Sequence, residues 1–272
     1  MVEGVFSFHT MQQACRADEP AAWLHFLKSY APLARQLLRH YFSEQEQRGL
    51  LAQVFREARA DQVRVWRSFA GTNEKEFVLH FRAFVLAQGR AARGGSPDTP
   101  LTPENFRTLL EEFPVLQREM LTLAFHRYSP EELSAFLQFE PETIVAAVAR
   151  AREKLQAQLG PAAAGDPERR DHDALFAALE EQRGETCVPD KTYVRFVDGQ
   201  LTWREREEVE RHLESCLYCL NRFAEFREVT HFFHVLPPAD DAAVAELAAA
   251  LGLPGQKPRA KKLPWWQRLL GG

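Results

Sequence analysis

The spacing His212-x-x-x-Cys216-x-x-Cys219 constrains this chain more than any other feature in it. On an α-helix, positions i, i+4 and i+7 share one face. The spacing therefore predicts a single helix that presents an imidazole and two thiols to a common point. Three such donors suit a tetrahedral metal ion that lacks one ligand. Cys187 is the obvious fourth donor. It precedes Val188-Pro189 and an expected helix starting near Asp190, and the chain from Cys187 to His212 is long enough for one helix and a return. Asp198-Gly199-Gln200 reads as that return. Thr202, with Glu205 three residues on, reads as a capping box that opens the next helix. Cys187, His212, Cys216 and Cys219 are thus the expected ligands of one zinc ion. Three thiolates and an imidazole leave no open coordination position, so the ion is expected to be structural. Zinc thiolates can also be oxidised with release of the metal. The competing reading of the cysteines is ordinary core packing, and for the isolated Cys15 a helix surface or core position is expected. His231 and His234 read as helix surface.

Composition narrows the class. Hydrophobic residues make up 45% of 272, enough for two or three small cores. The net charge of -4 gives no global basic signature for nucleic acid, so any DNA contact needs a local patch. Four cysteines in a chain of this length do not make a disulfide scaffold, and in a reducing compartment clustered cysteines with a nearby histidine suggest metal instead. Apolar runs are shorter than a membrane span and no secretory pattern opens the chain, so a cytoplasmic protein is expected. There is no Gly-rich phosphate loop, nucleophile elbow or distinct carboxylate pair, so neither an enzyme nor a small-molecule substrate is expected.

Apolar residues recur at helical spacing and alternating strand patterns are scarce, which predicts an all-α, multi-domain fold. A first helical bundle is expected over 8–92, carrying Trp23, Phe26, Tyr30, Leu37, Leu51, Phe55, Trp66, Phe77 and Phe81, with a break near Ser43. The Gly/Pro-rich stretch 91–100 reads as a linker. A second block spans 101–159. Thr102-Pro103-Glu104 and Ser129-Pro130-Glu131-Glu132 are helix starts there, and the short connection at 138–141 gives a helix-turn-helix layout. A second linker is read at 160–167, the cysteine-bearing block at 168–236, and a tail at 237–272 with an Ala-rich helix near 242–251.

The segment from Cys187 to Cys219, with Tyr193-x-x-x-x-Asp198-Gly199-x-Leu201 between the ligands, resembles the zinc-containing anti-sigma domain. The first two blocks more loosely resemble domains 2 and 4 of an extracytoplasmic-function sigma factor. The resemblance rests on Tyr30-Ala31-Pro32, Val65-Trp66-Arg67-Ser68-Phe69, Leu116-Gln117-Arg118-Glu119 and Ala149-Arg150-Ala151-Arg152-Glu153-Lys154. It implies a small helical bundle that grips a sigma factor, fused behind sigma-like domains, with RNA polymerase core or a sigma or anti-sigma partner, and promoter DNA, as what the assembly meets. Two departures weigh on this. Gly49-Leu50-Leu51-Ala52-Gln53 lacks the acidic residues the family places there. Val145-Ala146-Ala147 stands where the family has DNA-reading side chains, although base edges require donors and acceptors. Arg150, Arg152 and Lys154 remain as DNA-binding candidates, and Arg82, Arg90 and Arg93 as a small basic patch. Val145 and its neighbours otherwise read as packing against another domain.

In the tail, Lys257, Arg259, Lys261 and Lys262 precede Trp265-Trp266. Lys261, Lys262, Trp265 and Trp266 are candidates for docking a partner, with tryptophan as anchor. Packing on the protein's own core is an equal alternative, and contact with a membrane surface a weaker one. Two functions follow as expectations: a transcription regulator whose sigma-like domains are controlled by the fused zinc module, or a non-DNA-binding adaptor on a sigma-like scaffold that docks a partner through its tail.

Overall fold

A computed structural model of the chain describes residues 6–93, 101–160 and 172–254. Its described residues form thirteen α-helices: α1 (Phe8–Arg16), α2 (Pro20–Leu38), α3 (Glu44–Arg67), α4 (Glu74–Arg93), α5 (Pro103–Glu111), α6 (Val115–Phe125), α7 (Pro130–Leu137), α8 (Pro141–Leu159), α9 (Asp173–Glu180), α10 (Asp190–Val197), α11 (Trp203–Ser215), α12 (Leu217–Val235) and α13 (Asp241–Ala250). The fold is all-α, as the periodicity predicts, and no strand occurs among the described residues. Nor is any of these helices long and apolar enough to cross a membrane.

Local chemistry sets most helix starts. Ser43 and Glu46 form a capping box at α3, Ser129 and Glu132 one at α7, and the Thr102 side chain accepts from the Asn105 amide at α5. The turn between α7 and α8 pivots on Gln138, whose φ of 61° lies in the left-handed region. The first expected linker is shorter at its start than the sequence suggests, because α4 continues to Arg93. Residues 94–100 and 161–167, and the tail from 255 with Lys261, Lys262, Trp265 and Trp266, lie outside the described residues.

Helices α1–α4 enclose an aromatic core. Phe26 stacks on Tyr30 at 4.6 Å and Trp66 on Phe77 at 3.9 Å, and all four rings are fully buried. Burial of such rings dominates the energetics of a small bundle. Cys15 lies in this core, where burial pushes its thiol up to about 12. One turn of α2 is completed from far along the chain. Pro32 lies inside α2 and has no N–H to give the Lys28 carbonyl four residues back. The Ala239 amide donates to that carbonyl instead, at 2.8 Å, and Lys28 Nζ lies 3.4 Å from Asp241 at the start of α13. Helix α13 then packs along α2 and α3, and Arg59 donates to the Leu251 carbonyl at 2.8 Å.

Helix α12 organises the rest. From Leu217 to Phe233 none of its residues is exposed. Its contacts with α4 on one side and α6 on the other are the most extensive between any two helices. The α1–α4 and α5–α8 blocks therefore meet largely through α12. They also touch at the turn after α2, where Arg39 pairs with Glu132 and Arg127 donates to the His40 carbonyl at 3.1 Å.

Candidate metal centre

Helix α10 follows Pro189, which fixes the entry, and ends at Asp198-Gly199. Gly199 takes a φ of 67°, a conformation glycine adopts without the Cβ penalty, and this turns the chain. Thr202 and Glu205 then exchange the expected pair of bonds at the start of α11. The Thr202 amide donates to Glu205 Oε2 at 2.7 Å and the Glu205 amide to Thr202 Oγ1 at 3.3 Å. Arg195 pairs with the same Glu205 at 2.9 Å and so fastens α10 to α11.

The expected single helix through His212, Cys216 and Cys219 is not what forms. Helix α11 ends at Ser215, Cys216 is extended at φ −112° and ψ 108°, and α12 begins at Leu217. In an unbroken helix the Glu214 and Ser215 carbonyls would accept from amides four residues on. Here Arg118 donates to the Glu214 carbonyl at 3.2 Å and Arg107 to that of Ser215 at 2.9 Å. The break also improves the site. Seven residues of straight helix rise roughly 10.5 Å, too far for His212 and Cys219 to share an ion. Across the break, His212 Nε2 lies 3.2 Å from Cys219 Sγ.

The four expected donors come together. Cys187, His212, Cys216 and Cys219 place their ligand atoms within 4.8 Å of one another, and Cys187 Sγ lies 3.9 Å from Cys216 Sγ. A tetrahedron with Zn–S bonds near 2.3 Å has sulfur–sulfur edges of about 3.8 Å, so the spacing fits a zinc ion at the centre. Backbone amides support the sulfurs. Gly184 N–H donates to Cys187 Sγ at 3.2 Å and Val188 N–H to Cys219 Sγ at 3.3 Å. The fully buried Tyr193 reaches the Cys219 carbonyl at 3.4 Å. Burial pushes the Cys219 thiol up to about 12, and Cys216 beside it adds to the rise. A divalent cation bound here would take the sulfur as thiolate and release its proton. Cys187 and His212 also edge a groove of about 380 Å³ between α10 and α11, which gives solvent access to two of the four donors.

The other histidines stay apart. His231, near the far end of α12, packs against Phe136, and His234 is exposed. On α8, Arg150 lies 4.2 Å over the Phe113 ring and donates to the Glu112 carbonyl, and Lys154 pairs with Glu112 at 2.8 Å. Two of the three DNA-binding candidates thus clasp the end of α5, and Arg152 is half-buried. Val145 does not pack against another domain as expected. It is 52% exposed and Ala146 is exposed beside it, while Ile144, Ala147 and Val148 fill the core of their own block.

The expected basic patch also dissolves. Arg90 is exposed and Arg93 lies over Tyr41, but Arg82 is buried and points into α12. Its guanidinium meets Glu225 at 2.8 Å and Glu228 at 3.0 Å. Tyr128 donates to Glu228, and His126 Nε2 lies 2.8 Å from Asn221 Oδ1. The sequence carried one signal of this cluster. Glu225, Arg227 and Glu228 stand among Phe223, Ala224, Phe226 and Val229, charges set into a helix that has no purely polar face for water.

Residues 195–220 match the family model described as "Putative zinc-finger". The match covers His212, Cys216 and Cys219, and Cys187 lies before it. No curated protein and no solved structure matches the chain.

Proposed function

We propose that this protein regulates transcription, with a zinc-bound, anti-sigma-like module governing two sigma-like helical blocks of the same chain. The observation that carries the reading is the convergence of Cys187, His212, Cys216 and Cys219 within 4.8 Å, in a segment matching a zinc-finger family. The set holds one zinc ion with no vacant position, so its role is structural and the module acts by binding protein rather than by catalysis. The position of α12 supports the reading. It leaves the metal centre and runs between α4 and α6, where a module controlling both blocks has to act. The partner in this reading is a sigma factor or RNA polymerase core. Co-purification of the full chain with core polymerase, or salt-dependent binding to promoter DNA, tests it. Absence of both removes it.

A second reading has its own support. Val145 and Ala146 offer no hydrogen-bonding groups where a recognition helix needs them, and Arg150 and Lys154 are engaged at the end of α5. These features favour an adaptor that keeps the scaffold and docks a protein partner through residues 257–272. Loss of a captured partner on deleting those residues, with zinc retained and no DNA binding in either form, selects this reading.

A further inference from the structure

A continuous line of charges leads from the metal centre to the seat of the α1–α4 block. Asp190 opens α10 three residues after Cys187, and the intervening Val188 amide donates to Cys219 Sγ. Asp190 grips Arg222 with both oxygens, at 2.9 Å and 3.2 Å. Arg222 reaches Glu225 at 3.3 Å, and Glu225 reaches Arg82 of α4 at 2.8 Å. Arg82 and Glu225 are buried, and Arg222 is nearly so.

We infer that the chain Asp190–Arg222–Glu225–Arg82 couples the metal centre to the seating of α4 on α12, so that the α1–α4 block stays closed on α12 only while the metal centre is intact. The inference rests on the metal reading above. Glu225 is shared by two guanidiniums. While Asp190 holds Arg222, Glu225 is left to compensate Arg82. When the segment holding Asp190 loosens, Arg222 keeps its charge and draws on Glu225, and Arg82 is left to share the buried site with Glu228 alone. Drawing one carboxylate away from a buried guanidinium that two carboxylates hold weakens the seat of α4 on α12. Lys75 of α4 pairs with Asp198 at the other end of α10 and so ties α4 to α10 directly.

The test uses the full, zinc-loaded chain. Asp190 is about one-third exposed, so Asp190→Asn removes the first link without cutting into a core. Zinc content should be unchanged, while hydrogen exchange of the α4 amides around Phe81–Val85 rises about 10-fold, the response of a local opening made easier. Asp190→Glu should restore protection. Chelating the zinc from the unsubstituted protein should raise exchange in the same α4 amides. Faster exchange confined to 184–220, with α4 unchanged in either arm, overturns the coupling while leaving the metal centre standing. A purified protein without zinc removes the metal reading and the coupling built on it, and metal analysis reveals this before the exchange arms begin.

Discussion

Arg82 and Glu228 face each other with no water between them: the guanidinium Nη2 is 3.0 Å from the carboxylate Oε2, and neither side chain is more than 4% exposed. Such a pair adds little beyond what apolar residues of the same size would give, but losing one member leaves a charge stranded. Arg82→Met should therefore lower the unfolding free energy by about 3–5 kcal/mol. Urea denaturation measures this. Adding Glu225→Gln and Glu228→Gln to that variant should recover most of the loss, and no recovery would mean the cost lies in packing rather than charge.

Metal analysis of the purified chain should give about one zinc per molecule. Cys216→Ser should abolish the stoichiometric metal and melt the segment around α10 and α11, seen as lost helical circular dichroism, because a domain this small draws its folding energy from the ion. Since Cys187 and His212 edge an open groove, a small chelator should reach the zinc without denaturant.

The capping box of α11 gives a milder test. Thr202→Ala deletes the oxygen that accepts from the Glu205 amide, and should cost about 1 kcal/mol in denaturation with zinc content unchanged.

Acid should weaken the protein through two buried histidines. Burial, with Arg82 nearby, pulls His126 down to about 3, and burial, with Arg39 beside it, pulls His40 down to about 4. Each takes up a proton more readily in the unfolded chain, where the ordinary value is about 6.5. Their contribution is therefore fully present above pH 6.5 and is lost as pH falls toward 4 for His40 and toward 3 for His126, at up to about 1.4 kcal/mol per pH unit for each. His126→Gln, which can still reach Asn221, should flatten the fall in melting temperature between pH 7 and pH 5. An unchanged slope would assign the acid sensitivity to other groups.

What the sequence disclosed and what it hid divide along the distance between interacting residues. Thr202 with Glu205, Ser129 with Glu132, and the helical spacing itself are local, and they could be read directly. The candidate donors His212, Cys216 and Cys219 were legible for the same reason, although their geometry was not. No glycine or proline marks the break at Cys216, because it depends on Arg107 and Arg118 taking the last carbonyls of α11 from another block. Arg82 read as a surface charge because its partners lie on α12, far along the chain, and a lone arginine carries no sign of which carboxylates will meet it. Val145 read as packed because it is apolar, and a helix face exposed to solvent cannot be told from a covered one by residue type alone.

The Lys28 carbonyl and the Ala239 amide set an order of events during synthesis. The α1–α4 block is made first, yet one turn of α2 and the cover over α2 and α3 come from residues that leave the ribosome long afterwards. Until they arrive, that carbonyl of the nascent bundle has only water to accept from, and an apolar flank stays uncovered. Its final closure therefore waits for translation to pass α13.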